Sequence, residues 1–216
     1  CNRCHRQTSL IAGTIFQCTK LPLQKWFLTM YFLTQGKSGI SSIALARHLG
    51  VSQNTAWSIK HKLMQVMLER ESKKPISGRI EVDDAYWGGE RSGGKRGRGS
   101  PAKTPFLAAV ETTQEGEPIR MKLSKVAGFR KQIITHWSRS LVIPGSHVLT
   151  DGLSCFNGFA DAGCIHQPII MGSGKQSARH PSFRWVNTML GNIKTALAGT
   201  YHSPNGKHST EERRRG

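Results

Sequence analysis

Acidic residues are scarce in this 216-residue sequence, which has 13 Asp and Glu against 31 Lys and Arg. The formal net charge is therefore +18. A surplus of this size favours a polyanionic partner, most often a nucleic acid. An acidic membrane surface is one alternative, and a basic surface that serves only solubility is another.

Long apolar runs are also missing. No stretch of about 18 apolar residues occurs, so we expect no transmembrane helix, and nothing at the start predicts a signal peptide. The hydrophobic content of 37% still allows a packed core. The first residue is Cys1 rather than Met, and we expect that a segment before it is missing or was processed.

Cysteine is sparse, with five residues in the sequence. This odd number does not suit the disulfide framework of a secreted domain and favours a reducing cytoplasm. Cys1-x-x-Cys4 has the spacing of half a zinc ribbon, but tetrahedral zinc needs four ligands and the second pair is absent. His5 and Cys18 are poorly spaced to replace it. We therefore predict a partial zinc-ribbon remnant over residues 1–18, which binds zinc only if the other half is present.

Residues 19–70 predict a small all-α domain. The apolar segment from Thr19 to Thr34 is expected to form a buried helix. Its predicted inward face consists of Leu23, Phe27, Met30, Tyr31 and Thr34. Two further helices are predicted at Ser41 to Leu49 and Gln53 to Met67, with Gly50 between them and Ser52 as the cap of the second. The predicted inward stripe of that second helix is Ala56, Ile59, Leu63 and Val66.

A helix, a short glycine-containing turn and a polar second helix are typical of a helix-turn-helix DNA-binding domain. An ordinary helical hairpin is the alternative, and the net charge favours the DNA interpretation. On the second helix Gln53 and Asn54 are predicted to face outward, where they can pair with adenine edges. Lys60 and Lys62 are predicted to contact phosphates.

A polar linker is predicted at residues 71–77, followed by a strand in the sequence GRIEVDDAYWGG from Gly78 to Gly89. Ile80 and Val82 alternate with Glu81 and Asp83, so the two acids are expected on the opposite face of the strand. A carboxylate at a strand end needs a cationic partner. That partner is either a Lys or Arg side chain or a divalent metal.

The next segment, from Glu90 to Lys103, is rich in glycine and basic residues. One interpretation is a solvated hairpin tip. The other is a loop that grips DNA phosphates through Lys95, Arg96 and Arg98.

An α/β order follows. Strands are predicted at Pro105–Thr112, Pro118–Leu123, His147–Thr150 and Ile165–Met171, and helices at Phe129–Leu141 and Val186–Leu197. This order predicts a mixed sheet with flanking helices over residues 78–201.

Two acids at strand ends carry the predicted chemistry. No Asp or Glu lies between Glu117 and Asp151, so Asp151 stands alone in a basic region at the end of a strand, as Asp83 does. Two carboxylates that converge on one sheet edge suit Mg²⁺. A pair of such ions supports phosphodiester chemistry.

The later helix offers candidates for the rest of this site. Asn187 can ligate a metal through its amide oxygen, and Lys194, two turns later on the same face, can hold a phosphate. Glu81 is expected at the surface or behind the ligands, and Asp84 replaces Asp83 if the strand register differs by one. No ligand role is predicted for the histidines at 147, 166 and 180.

Several stretches together resemble the ISXO-like insertion-sequence transposases. They are TSLIAGTIF, KLPLQKWFLTMYFLTQGKSGIS, LARHLGVSQNTAW, IKHKLMQVM, IEVDDAYWGGE, LTDGLSCF and RWVNTMLGNIKTALAGTYH. The resemblance covers nearly the whole chain. It implies a DDE-type transposase in which a zinc ribbon and a helix-turn-helix precede a catalytic core with a ribonuclease H-like fold.

The resemblance also implies roles for single residues. Asp83 and Asp151 correspond to the first two metal-binding acids, Asn187 stands where many relatives have Glu, and Lys194 matches the Lys that follows. The implied cofactor is Mg²⁺ or Mn²⁺. The implied partners are the terminal inverted repeats of the element and the target DNA, with a homo-oligomer on DNA in the bacterial cytoplasm, at the nucleoid.

Two departures from the family stand out. The first Cys pair of the ribbon is missing, and residues 202–216 are an atypical tail that we expect to be disordered or frameshifted. These departures favour a truncated or degenerate copy of a transposase. An inactive DNA-binding remnant or regulator that acts through the helix-turn-helix is the alternative function, and a plain nuclease on the same fold is a third.

Overall fold

A computed structural model of the protein describes residues 9–36, 38–87, 103–170 and 180–200, with side chains as far as residue 197 in the last segment. Cys1, Cys4, Lys95, Arg96, Arg98 and the tail from 202 lie outside the described residues. The chain divides into two compact units, Cys1–Lys73 and Lys74–Gly216.

The first unit contains three helices, α1 (Leu23–Gln35), α2 (Ser42–Leu49) and α3 (Gln53–Ser72). Gly50 ends α2 in the left-handed region at φ 59°, which a glycine adopts without steric cost. The Ser52 side chain accepts a hydrogen bond from the Thr55 amide and so caps α3, as predicted. Leu45, Leu49 and Ala56 form the core between α2 and α3.

The predicted inward face of α1 is wrong. Leu23, Phe27 and Tyr31 are exposed, whereas Trp26 and Thr29 are buried. Trp26 packs with Ile59 and Leu63 of α3. The error has a physical cause, because aromatic and aliphatic residues occur all around α1 and its sequence has no single apolar stripe from which a face can be read.

The prediction for α3 needs two corrections. Ala56, Ile59 and Leu63 are buried as predicted, but Val66 is 42% exposed. The helix continues to Ser72, into the segment predicted as a linker, and Ile76 of that segment is fully buried in the core of the second unit. The boundary between the two units falls between these positions, after Lys73.

The second unit is a five-stranded mixed sheet in the order β3-β2-β1-β4-β5. Its elements, in chain order, are β1 (Arg79–Trp87), β2 (Thr104–Thr112), β3 (Pro118–Lys125), α4 (Lys131–Leu141), β4 (His147–Thr150), the short helix α5 (Gly158–Asp161), β5 (Ile165–Pro168) and α6 (Arg184–Thr200). β2 is antiparallel to both of its neighbours, β1 and β3, whereas β1, β4 and β5 are parallel. The predicted mixed α/β fold is confirmed, and this order is compatible with a ribonuclease H-like fold.

The two faces of the sheet have separate cores. On one face Ile80 and Val82 of β1 pack with Ile134 of α4 and with Phe156 and Phe159. On the other face, Ala108 and Val110 of β2 pack against α6 and the turn before it, through Phe183, Val186, Met189 and Leu190. Glu81 and Asp83 alternate with the residues of the first core, so they point to the face that α6 covers. Within the described parts of the chain, none of the helices is long and apolar enough to cross a membrane.

Candidate active site

The strands β1 and β4 bring Asp83 and Asp151 together. The two strands are parallel, and their register ends at the pair Glu81 and Leu149. Asp83 and Asp151 each lie two residues further along. Neighbouring strands are about 4.8 Å apart, so the continued register brings both acids to one edge of the sheet.

A local turn orients Asp151. One carboxylate oxygen of Asp151 accepts a hydrogen bond from the Leu153 amide at 3.1 Å, which is the bond of an Asx turn. Gly152 between them has φ 82°, and a Cβ there would lie 3.2 Å from Ile170 Cγ1. Asp151-Gly152 therefore ends β4 in a turn that holds the carboxylate at the strand end.

Asp84 joins the two predicted acids. Asp83, Asp84 and Asp151 each offer a carboxylate oxygen, and these atoms all lie within 4.8 Å of one another. Asp83 and Asp84 are half-buried and Asp151 is exposed. Among His, Cys, Asp and Glu in the described ranges, this is the only such group of three or more side chains. We call these three residues the acid cluster.

Strand alternation alone does not predict that Asp84 reaches this point, because it places Asp84 on the face opposite Asp83. The pairing of β1 with β4 extends only from Arg79 to Glu81. Side chains of the following residues can therefore lean past the end of β4. In addition, the Asp84 amide donates to a carboxylate oxygen of Asp83 at 2.9 Å, which fixes the two acids relative to each other.

The donor set of the acid cluster fits a hard divalent cation. Mg²⁺ prefers carboxylate oxygens and is usually bound by one or two of them, with water and substrate phosphate completing the coordination. Three carboxylates within 4.8 Å of one another repel unless a cation neutralises them. The arrangement suits Mg²⁺ or Mn²⁺, and it does not suit zinc in a Cys-rich structural site.

Asn187 and Lys194 both lie on α6. Asn187 is half-buried and follows Val186, which is fully buried against the sheet. Lys194 is exposed, two helical turns after Asn187. Asn187 thus belongs to the first turn of the helix that covers the Asp83 face of the sheet.

Glu81 is buried. Of the two expected places, the surface and behind the ligands, the surface is wrong, because only 1% of the residue is exposed. It lies between β1 and the start of α6, where its carboxylate binds backbone amides of that helix. The signal that could have identified it is the absence of an acid in the first turn of α6.

The residues predicted to bind DNA differ in accessibility. Gln53, Asn54 and Lys62 are exposed on α3. Lys60, which was predicted to contact phosphates, is instead buried: it is 6% exposed and its ammonium donates to the Ile40 carbonyl at 2.7 Å. Burial lowers the pKa of Lys60, since desolvation disfavours the charged form.

An aromatic pair that the sequence analysis did not single out also lies on α3. Trp57 is 51% exposed, and its ring lies 4.1 Å from the ring of His61, centroid to centroid. Burial and the nearby Lys60 charge lower the pKa of His61. The i, i+4 spacing along the helix accounts for the contact.

The histidines at 147, 166 and 180 do not join the acid cluster. His166 Nε2 lies 2.9 Å from Thr150 Oγ1, and burial lowers its pKa. His180 Nδ1 accepts from the Ser182 amide at 3.2 Å and caps the turn before α6. His147 pairs with Ile165 in the sheet.

The sequence matches a known protein family. The family model of the ISXO2-like transposase domain matches residues 75–211, which is more than half of the chain and includes the whole acid cluster and α6. No curated protein matches the chain.

Proposed function

The chain belongs to the ISXO2-like transposase domain family, and from this premise we propose that it is a DDE-type transposase of a bacterial insertion sequence. It binds the terminal inverted repeats of the element and cuts and joins DNA strands at the acid cluster with Mg²⁺. The observation that carries this proposal is the convergence of Asp83, Asp84 and Asp151 inside the matched region. The family match and the acid cluster found in the described residues thus support the same site.

The proposed roles follow from the chemistry of each side chain. Asp83 and Asp151 hold Mg²⁺ through carboxylate oxygens, and Asn187 adds a neutral amide oxygen. Lys194 binds a phosphate of the DNA strand as a point charge. When bound, Mg²⁺ activates the attacking oxygen and neutralises charge on the leaving oxygen. The protein itself contributes positioning, because phosphodiester chemistry needs the attacking and leaving oxygens in line.

The first unit is the proposed DNA-binding domain. Its sequence contains no Asp or Glu before Glu69, so phosphates can approach without repulsion from nearby carboxylates. Gln53 and Asn54 lie in the first turn of α3 and are exposed, as expected of residues that read base edges. Residues 19–70 are the proposed helix-turn-helix domain and residues 78–201 the proposed catalytic domain.

The experiment uses the full chain and labelled linear DNA that carries the inverted repeats flanking its gene. We expect strand cleavage that leaves a 3′-hydroxyl, followed by joining of that end to a second DNA, both only when Mg²⁺ is present. Cleavage without joining would favour the nuclease alternative. Binding of the repeats with no cleavage in Mg²⁺ or Mn²⁺ would favour a DNA-binding remnant or regulator and would overturn the proposal.

A further inference from the structure

The buried carboxylate of Glu81 joins β1 to α6. One of its oxygens accepts hydrogen bonds from the backbone amides of Trp185 and Val186, at 2.9 and 3.1 Å. The other oxygen lies 3.3 Å from the Arg79 guanidinium. The side chain is 1% exposed, so these are contacts inside the protein rather than at its surface.

The Glu81 carboxylate lies where the start of a helix requires hydrogen-bond acceptors and negative charge. The first amides of an α-helix have no partner within the helix, and the helix dipole favours negative charge there. The first turn of α6 contains no acid of its own. Glu81 supplies that charge from another element, and Arg79 offsets the cost of burying it.

A second contact holds the same turn of α6. The Trp185 indole N–H donates to the Gly116 carbonyl, in the segment between β2 and β3. The start of α6 is therefore attached to the sheet at two separate points, one of which is a charged group on β1.

The two ends of the Glu81 contact lie next to proposed site residues. Asp83 follows Glu81 by two residues on the same face of β1, a rise of about 7 Å. Asn187 directly follows Val186, whose amide Glu81 binds. We infer that Glu81 is a positioning residue that sets the place of Asn187, and of Lys194 beyond it, relative to Asp83. This inference rests on the proposed function, since it assigns Glu81 a part in the same site.

Only a carboxylate satisfies all of these partners. In Glu81→Gln the amide oxygen can accept from Trp185 and Val186, but the NH₂ group then faces the Arg79 guanidinium, donor against donor. If the variant's side-chain amide is flipped, its NH₂ group faces the backbone N–H groups of Trp185 and Val186, which is again donor against donor. Removing the guanidinium in Arg79→Met relieves the first conflict, so the double variant Glu81→Gln with Arg79→Met is expected to regain activity that Glu81→Gln loses.

The control is Glu111→Gln. Glu111 is also buried, at 8% exposed, and lies on the neighbouring strand β2. Its carboxylate accepts from Ser77 and lies 3.8 Å from Arg120. Glu111 pairs with Ile80 and so points to the face opposite Glu81. The variant Glu111→Gln therefore measures how much cleavage activity is lost when a buried acid elsewhere in this sheet is neutralised.

Cleavage is measured at a temperature at which circular dichroism shows every variant folded. We expect Glu81→Gln to lower kcat for strand cleavage by about 10- to 100-fold while KM for DNA stays within about twofold. We expect the double variant to recover part of this loss and Glu111→Gln to cleave like the parent. Equal cleavage by Glu81→Gln and the parent, or an equal loss in Glu111→Gln, would overturn the inference.

A second measurement does not depend on activity. In ¹⁵N-labelled protein, Mn²⁺ bound at the acid cluster broadens the signals of nearby groups. We expect the side-chain amide signal of Asn187 to broaden in the parent and in Glu111→Gln, and to broaden less in Glu81→Gln. If the Asn187 signal broadens in the parent protein but the parent does not cleave DNA, the proposed function fails while the positioning role stands. If Asn187 broadens equally in the parent and Glu81→Gln, or in neither, the positioning role fails.

Discussion

Asp83 and Asp151 stand in the same register, each two residues past the last pair, Glu81 and Leu149, of the parallel strands β1 and β4. Parallel strands end at the same edge of a sheet, so this pairing is a consequence of topology rather than of local sequence. The two acids differ in their local structure, because Asp83 lies within β1 and pairs with Ala108, whereas Asp151 follows the end of β4 and is the more exposed of the two.

Removing either acid should abolish cleavage and leave DNA binding intact. We expect Asp83→Asn and Asp151→Asn each to lower the rate of Mg²⁺-dependent strand cleavage by about 100-fold or more, because each removes a charge that holds the cation. The measurement is a cleavage assay beside a DNA-binding titration. Asp161→Asn is the matched control, since Asp161 pairs with Lys131 at 2.8 Å outside the acid cluster. Full activity in either cluster variant would contradict the assignment.

Asp84 should contribute to metal binding. We expect Asp84→Asn to raise the Mg²⁺ concentration for half-maximal cleavage by about 10-fold. The Tm gain on adding Mg²⁺ should shrink. An unchanged Mg²⁺ dependence, measured by melting with and without the ion, would remove Asp84 from the site.

Lys60 and Lys62 should differ in their effect on DNA affinity. Lys62 is exposed and Lys60 is buried, so we expect Lys62→Gln to reduce the salt slope of DNA binding by about 0.9, the loss of one phosphate contact. Lys60→Met should leave the slope unchanged and lower the free energy of unfolding by about 1–2 kcal/mol, through the lost bond to the Ile40 carbonyl. Equal salt slopes of DNA binding for Lys62→Gln and Lys60→Met would contradict the prediction that only the exposed lysine contacts a phosphate.

Gly158 should tolerate no side chain. A Cβ at this position would lie 2.6 Å from the Lys131 carbonyl oxygen and 2.8 Å from Thr135 Oγ1. We expect Gly158→Ala to lower the free energy of unfolding by about 1–3 kcal/mol in urea titrations, because α4 and α5 must separate. Gly191→Ala is the control, since a Cβ there meets nothing within 4 Å. Gly191→Ala should raise the free energy of unfolding by about 1 kcal/mol, because alanine favours the helix α6. A change in the free energy of unfolding with the same sign in both variants would contradict the packing argument.

Stability should fall at mildly acidic pH, in part through His166. Burial lowers the pKa of His166, so protonation favours the unfolded chain. The contribution of neutral His166 to the free energy of unfolding is fully present above about pH 6.5, the usual pKa of histidine. It is lost as the pH falls through the lower pKa that His166 has in the folded protein. We expect the decline in free energy of unfolding between about pH 6.5 and 5 to be shallower in His166→Gln. It should not vanish, because the pKa of His61 is lowered too. A curve parallel to that of the parent would contradict this role for His166.

Much of the second unit could be predicted from its sequence because its strands follow simple rules. Ile80 and Val82 alternate with acids on β1, and Asp151 directly follows β4, so both the sheet and two members of the acid cluster could be inferred. The expectation that Asp83 stands at a strand end was wrong, because β1 continues to Trp87 through its pairing with β2. The sequence could not show that Asp84 belongs to the acid cluster, because its approach to Asp83 and Asp151 depends on where the pairing of β1 with β4 ends.

Other features depend on contacts that no local pattern contains. Glu81 is buried because the amides of Trp185 and Val186 meet it, and these lie 104 and 105 residues later. Lys60 looks like any surface lysine in the sequence, and its bond to the Ile40 carbonyl, 20 residues earlier, is not visible in any local pattern.

The link between Glu81 and α6 also bears on the order of folding. Sixteen residues connect β1 to β2 and five connect β2 to β3, whereas the bond from Trp185 to Glu81 joins residues 104 positions apart. Long loops close late, because their entropy must be lost before the contact forms. We therefore expect α6 to dock after the sheet has assembled, so that competence for cleavage arises in the last step of folding.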